Sequence, residues 1–479
     1  MANMKTLAKD TAIYGLSSIV GRFLNYLLVP LYTAKMTAES GGYGVITNMY
    51  ALTALIMVLL TFGMETTFFR FANKEDENPQ KVFSTALIGV ASAATLFIVL
   101  VLLFIAPVSD FLGYGEHPFY VTAMALTVAI DAVRAIPFAY LRQQKKAIKF
   151  ATLQLLNIAI NIALNLVCYL LLGFTDPGYA FYVNLVSSAV ITLCLYREFM
   201  NIRYGFDRQL MRRMLSYSWP IAILGVAGIL NQVADKILFP FVYKGQDMQM
   251  QLGIYGATVK IAMIMAMITQ AFRYAYEPFV FGKSRDKDND EMQVTAMKYF
   301  IIFTLLAFLC VVGYIDVIKH LIGPDYWVGL RVVPIVMAAE IMMGIYFNLS
   351  FWYKLKDKTY WGAIFSGVAC TVIIVINVLF VPRSGYIACA WAGFAGYFTA
   401  MMLSYIVGQI YHPIAYTRRS IAIYGIMAML FYIFMHNGRE LLPTWASIAL
   451  NTVLILIFVA NVMYHDLPIS VFTNKLKKK

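Results

Sequence analysis

The chain has 479 residues, 61% of them hydrophobic and only 13% charged, with a formal net charge of +13 and a mean hydropathy of +0.70. A soluble chain of this length carries about 25% charged residues, so a soluble globular enzyme is excluded and an all-α polytopic membrane protein is expected. The Lys and Arg surplus sits in short loops between apolar segments, which reads as membrane orientation and not as a nucleic-acid surface.

A spanning helix needs about 20 mostly apolar residues, and roughly fourteen segments qualify. In chain order they are Asp10–Ala34, Tyr43–Phe69, Val82–Val108, Pro118–Leu141, Phe150–Leu172, Gly178–Phe199 and Leu215–Tyr243. Then come Leu252–Phe281, Val294–Tyr314, Leu330–Trp352, Thr359–Val381, Tyr386–Tyr411, Ser420–Met435 and Pro443–Tyr464, the thirteenth being the shortest. The first run is too long for a signal peptide and lacks a small-residue cleavage site. The five Cys fall in apolar stretches without CxxC spacing, and the five His lie near loop ends, so no metal site and no cofactor are expected.

Charge sets the orientation. The N-terminus and every second loop hold Lys5, Lys9, Arg142, Lys145, Lys146, Lys149, the five arginines from Arg197 to Arg213, Lys283, Arg285, Lys287, Lys354, Lys356, Lys358, Arg418, Arg419 and the tail Lys475 to Lys479. The alternate loops hold only Lys35, Lys244, Lys319, Arg331, Arg383 and Arg439, a bias of about four to one. Both termini are therefore expected in the cytoplasm of an inner-membrane, multi-pass protein, which requires an even number of spans. The far-side loops are too short for a catalytic ectodomain, so function is expected among the helices, and the chain is not read as an enzyme.

The chain repeats itself. "LVPLYTAK" from Leu28 matches "LFPFVYKG" from Leu238, and "YGV" at Tyr43 matches "YGA" at Tyr255. Glu65 lies 22 residues after Tyr43, and Glu277 lies 22 after Tyr255. Each unit has six spans, so the units are expected to be parallel repeats around a central cavity: 1–213 and 214–412, followed by two peripheral helices and the tail in 413–479.

Polar residues recur inside these apolar segments. Tyr14, Ser18, Arg22 and Asn25 share one face of the first, and Arg22 lies at mid-membrane depth, where a charge implies a functional cavity. Segment seven carries Asn231 and Asp235 on one face and Gln232 and Lys236 on the next, so Asp235 is expected to point away from Lys236. Segment eight places Thr269, Arg273 and Glu277 one turn apart, so Glu277 either neutralises Arg273 or leaves it to a ligand. In segment five, Gln154, Asn157, Asn161 and Asn165 form a stripe that either glues helices together or lines a cavity. Asp131 and Arg134 read as a structural ion pair, Lys260 as reaching the outer interface, and Glu65 and Arg70 as reaching water. Cations at this depth imply an anionic cargo. Arg22, Arg273 and Lys236 are the candidates to bind that anion; Asn25, Asn157, Asn161 and Asn231 are the candidates to line the cavity beside it. Glu65, Asp235 and Glu277 are the candidates for ion coupling. No GxxxxGK[ST], HExxH or GxSxG motif is present, and the DxD within "DKDND" at Asp286 reads as a solvated loop.

The opening "DTAIYGLSSIVGRFLNYLLVPLYTAKM", the following "GGYGVITNMYALTALIMVLLTFGMETTFFRFA" and the layout of spans carry a resemblance. The chain resembles the polysaccharide branch of the multidrug/oligosaccharidyl-lipid/polysaccharide exporter superfamily, and within it the Wzx-type flippases of O-antigen or capsule repeat units. The resemblance implies two six-helix lobes enclosing a cavity that opens alternately to each side. It implies a cargo of polyprenyl-pyrophosphate-linked oligosaccharide for lipopolysaccharide O-antigen, capsule or exopolysaccharide synthesis. It further implies membrane lipid as a partner, coupling to H+ or Na+, and companion polymerase and chain-length proteins. Arginines of helices one and eight line the cavity in the related lipid II flippases; Arg22 and Arg273 occupy those helices here. The last two helices would form a groove for the lipid tail. A lipid II flippase or a small-molecule exporter of the same architecture is the alternative.

Overall fold

The computed structural model describes residues 24, 26–200, 202, 204–282, 289–356 and 358–466. All regular structure among them is helical. The helices used below are α1 Leu28–Lys35, α2 Gly42–Thr61, α3 Met64–Ala72, α4 Pro79–Leu103, α5 Pro118–Gln143, α6 Ala147–Leu166, α7 Gly178–Cys194 and α8 Arg208–Val242. They continue as α9 Met248–Gly282, α10 Asn289–Gly313, α11 Val333–Leu349, α12 Tyr360–Ser384, α13 Tyr386–Tyr411, α14 Arg418–Leu441 and α15 Thr444–His465. Twelve spans among the described residues are long and apolar enough to cross a membrane, and α7 is a shorter apolar helix. The first expected segment lies mostly outside the described residues, its end forming α1; the other expected segments have helical counterparts.

Local chemistry accounts for the helix ends. Asn78 caps α4 by accepting from the Gln80 amide at 2.9 Å, with Pro79 at the first helical position, where a missing N–H costs nothing. Asp207 caps α8 by accepting from the Gln209 and Leu210 amides at 2.8 and 2.9 Å. The second span breaks between α2 and α3, where Phe62 (φ 46°) and Gly63 (φ 69°) are both left-handed. The thirteenth span exceeds its expected length: α14 runs to Leu441 because Arg439 is absorbed. Its Nε lies 3.1 Å from Asp316, and its Nη2 donates to the Val312 carbonyl at 2.9 Å.

The inside and outside are sorted as a membrane requires. Leu103, Phe111, Leu171, Leu193 and Ile410 are exposed, whereas Asn48, Asn161, Asn165, Asn348, Asn377 and Asn451 are buried. Hydroxyls within spans return to their own backbone, as Thr47 does to Tyr43 and Thr127 to Ala123.

By contacts the chain forms two units. The first comprises Met1–Ala257 and Ile373–Cys389. In it α5 packs on α4 and α7, and α8 packs along α2. One of its cores joins Phe68, Phe83, Ile136, Leu210 and Met214. The second unit comprises Thr258–Val372 and Ala390–Lys479. Here α10 packs on α11, α14 and α15, and aromatic cores gather Trp352, Tyr353 and Phe365, and Tyr276, Phe347 and Phe351.

Candidate functional site

Arg22 and Asn25 lie outside the described residues. The remaining candidates fall into separate groups, several in the first contact unit and one in the second.

In the first unit, Lys236 and Asp235 sit along α8, two turns before its end. The expectation that Asp235 points away is overturned. The Lys236 stem folds back so that Nζ donates to both Asp235 carboxylate oxygens at 3.0 Å and to the Gln232 carbonyl at 3.2 Å. Tyr255 of α9 donates to Asp235 Oδ2 at 2.6 Å, and its ring lies 5.2 Å from Nζ. Asn48 of α2 donates to the Lys236 carbonyl at 2.8 Å and accepts from the Tyr114 hydroxyl, also at 2.8 Å. The pair is thus buried, satisfied and tied to two other helices. Asn231, one turn earlier on the same α8 face as Asp235, is half-buried.

The segment-five stripe divides. Asn161 donates to Asn184 Oδ1 at 2.6 Å, Asn184 donates to the Tyr50 hydroxyl, and Asn165 accepts from the Tyr32 hydroxyl at 2.8 Å. These bonds link α6 to α7, α2 and α1 as inter-helix glue. Asn157, one turn away, keeps a buried Oδ1 without a partner among the described residues. Asp131 and Arg134 pair at 3.0 Å, as the i, i+3 spacing anticipates.

In the second unit, Arg273 Nε lies 3.3 Å from Glu277 Oε2, so the carboxylate does engage it. The structure adds Lys354, which the sequence places in a basic loop. It sits in a short helix, Phe351–Leu355, with Nζ 3.9 Å from Glu277 Oε1. The Arg273 guanidinium lies 4.7 Å from the Phe347 ring centroid, and Lys354 Nζ lies 4.5 Å from it. Two cations therefore share one carboxylate and one aromatic ring, and the group carries a net positive charge. Arg273 remains 45% exposed at its side chain, leaving guanidinium edge for an anion. Phe347, Phe351 and Lys354 follow at i, i+4 and i+7, a spacing that marks one helical face and is visible in the sequence.

The same ion pair recurs in the first unit. Arg142 Nη2 donates to Glu65 Oε2 at 2.7 Å, with its guanidinium 5.0 Å from the Phe69 ring. Glu65 therefore has a cation partner and does not simply reach water. Arg142 stands 77 residues after Glu65, and Lys354 stands 77 after Glu277. The halves differ at one place. The repeat offset of 212 residues that relates Tyr43 to Tyr255 maps Arg273 onto Thr61, whose hydroxyl is spent on the Met57 carbonyl at 2.8 Å. The first-half pair is a closed, neutral couple; the second-half pair has a third, cationic member.

Comparison of the sequence with curated proteins found no significant match. Among solved structures, the chain is similar to a lipid II flippase, MurJ, in an inward closed conformation, with TM-score 0.74 and 15% identity over 96% of this chain and 99% of that one. It is also similar to an inward-facing multidrug resistance MATE family transporter of the MOP superfamily, with TM-score 0.66 and 13% identity over 81% and 93% of the two chains. A third likeness is to the MATE multidrug transporter DinF-BH, with TM-score 0.58 and 15% identity over 84% and 96%. At these identities the likeness establishes a shared fold. The family model described as "Polysaccharide biosynthesis protein" matches residues 7–275, more than half of the chain. This multi-pass membrane chain therefore belongs to the polysaccharide biosynthesis protein family.

Proposed function

We propose that the protein is a Wzx-type flippase that moves polyprenyl-pyrophosphate-linked oligosaccharide repeat units across the bacterial inner membrane by alternating access, for O-antigen, capsule or exopolysaccharide synthesis. The observation that carries this reading is the Arg273, Lys354 and Glu277 group with its net positive charge and exposed guanidinium edge. A diphosphate fits it, because Arg grips two oxygens at once and Lys adds a point charge beside it. Low-dielectric surroundings strengthen both attractions. On this reading Arg22 is a further pyrophosphate ligand, and Asn25, Asn157 and Asn231 meet sugar hydroxyls. Lys236 and Asn161 keep structural roles as well, given their partners.

The two sequence repeats, 1–213 and 214–412, act as the transport lobes, with 413–479 peripheral. Asp235 and Glu277 are the carboxylates through which H+ or Na+ coupling runs, Glu65 being closed on Arg142 as a brace of its half, and polymerase and chain-length proteins take up the product. No covalent step is assigned to the chain.

The test is replacement of Arg273 by Ala and of Lys354 by Met in cells. Surface glycan is expected to fall at least roughly tenfold in the former and severalfold in the latter, with membrane protein levels unchanged. Normal surface glycan in Arg273→Ala overturns the reading.

One observation favours a second reading. The fold likeness to the lipid II flippase extends over nearly all of both chains. If lipid II is the cargo, depletion halts cell-wall synthesis and lyses cells; if repeat units are, depletion removes only surface glycan.

A further inference from the structure

Thr269 stands on α9 one turn before Arg273, about 6 Å along the axis, and takes no part in the Arg273, Lys354 and Glu277 group. Threonines within these spans spend their hydroxyls on the carbonyl four residues back, as Thr61 and Thr127 do at 2.8 and 2.7 Å. Thr269 does not: its Oγ1 is buried and has no partner among the described residues. Asn348 of α11 repeats the pattern. Its Nδ2 donates to the Gly344 carbonyl at 3.0 Å, while its Oδ1, on a residue only 5% exposed, also lacks a partner. Both side chains border Gly344, whose Cβ position lies 3.1 Å from Thr269 Oγ1.

Two buried oxygens without a donor are costly, and the other half of the chain shows that the fold does not need them. The 212-residue offset maps Thr269 onto Met57 and Asn348 onto Ile136, which pack together in an apolar core of the first unit. The second half thus holds a polar couple where the first holds hydrocarbon, one turn from the place where Arg273 replaces Thr61. A local rule broken only in the half that also gains a cation marks a binding feature.

What the couple lacks defines what it takes. An amide oxygen only accepts, and a Thr hydroxyl donates once and accepts besides, so a ligand O–H or N–H completes the set. Neither oxygen is charged and the group beside them is net positive, which disfavours a metal cation. Thr269 is half-buried on the α9 face that carries the exposed Arg273 edge, so a ligand on that face meets it from the open side. One helical turn is the reach from a phosphate to a hydroxyl on the sugar bonded to it.

We infer that Thr269 hydrogen-bonds a hydroxyl or amide N–H of the sugar joined directly to the diphosphate, with Asn348 behind it as a positioning residue whose free Oδ1 accepts from the Thr269 hydroxyl in the bound state. The inference rests on the proposed reading that Arg273 and Lys354 hold the diphosphate. It adds that the site tells a sugar-bearing diphosphate from a bare one.

The test uses the full-length protein in neutral detergent, with native mass spectrometry and thermal stability as readouts. A short-chain polyprenyl diphosphate and the same lipid carrying one glucose or one N-acetylglucosamine are titrated separately. Wild type is expected to bind both sugar-bearing probes roughly fivefold tighter than the bare diphosphate. Thr269→Val and Asn348→Leu should each erase that preference without changing affinity for the bare diphosphate, and Thr269→Ser should keep it. Because Thr269→Val keeps the shape and removes an unsatisfied oxygen, its melting temperature should not fall. Arg273→Ala should weaken all three probes alike. If it weakens none, the diphosphate reading itself fails. If it weakens them but wild type binds the three equally, or Thr269→Val retains the preference, the sugar inference fails alone. A buried water joining the two oxygens would move the melting temperature of Thr269→Val and leave the probe ratio untouched, which also overturns the inference.

Discussion

Adjacent residues on a helix project about 100° apart, which is why Asp235 and Lys236 read as facing different ways. The four-carbon Lys stem defeats that rule, because it is long enough to curl back over its own turn. Asp235 then accepts from Lys236 Nζ, the Lys236 amide and the Tyr255 hydroxyl. With side-chain exposures of only 16% for Lys236 and 12% for Asp235, the pair is expensive to break one member at a time. Removing a single partner from a buried pair costs about 3–5 kcal/mol, since an uncompensated charge is left behind. Lys236→Met is therefore expected to lower the melting temperature sharply in detergent, and Asp235→Asn/Lys236→Met to recover most of the loss. Thermal unfolding of both variants checks it. If Lys236→Met keeps wild-type stability, Lys236 is not held by Asp235 and its role as a free anion ligand returns.

Helices in this chain are governed by how closely their backbones approach and by what holds their ends. At the start of α2, a Cβ added to Gly44 would stand 2.0 Å from the Gln249 carbonyl oxygen, which is backbone and does not retreat. One added to Gly256 would stand 2.2 Å from Thr47 Oγ1. These glycines let α2 and the start of α9 touch, as small residues do wherever membrane helices pack tightly. Gly44→Ala should cost about 1–3 kcal/mol or more through overpacking. Gly228 in α8, with open space around its Cβ position, should accept Ala with neutral or stabilising effect. Matched melting curves of the two variants distinguish them; equal destabilisation refutes the close-approach argument. At the start of α8, the Asp207 cap sets a pH window. Its carboxyl is drawn down from 3.8 to about 2, chiefly by the Lys81 hydrogen bond and then by the Leu210 amide. A depressed folded-state value means that its stabilisation is complete above 3.8 and is lost as pH falls through about 2. Protection of the Gln209 and Leu210 amides from hydrogen exchange should hold down to that range and then fall, while Asp207→Ala lacks it throughout.

At the scale of the molecule, the spans are legible because an apolar run of membrane length can hardly be anything but a spanning helix: twelve of the expected segments have one among the described residues, Gly178–Phe199 holds a shorter apolar helix, and most of Asp10–Ala34 lies outside them. What escaped was whatever depends on side chains meeting across helices. The Asn161 to Tyr50 network and the Glu65 to Arg142 pair join residues far apart in sequence, and no periodicity reports such meetings. Lys354 was lost in a run of loop lysines, although its 77-residue spacing from Glu277 repeats that of Arg142 from Glu65. The duplication supplies an internal control. Both halves hold a Glu with a cation 77 residues on, but only the second adds Arg273 beside it. A pair that only braces its half depends on the two charges being opposite, not on which residue bears which. Exchanging them, as Glu65→Arg/Arg142→Glu, should therefore retain surface glycan near the wild-type level. In the second half the exchange Glu277→Lys/Lys354→Glu puts a cation one turn from Arg273 and an acid where the anion would sit. Like charges at that spacing repel, and the anion loses one of its two cations. Surface glycan should fall to the level of Arg273→Ala while the protein still reaches the membrane. Equal tolerance of the two exchanges would make Arg273 a bystander; equal loss would give the first-half pair a functional part that its closed geometry does not suggest.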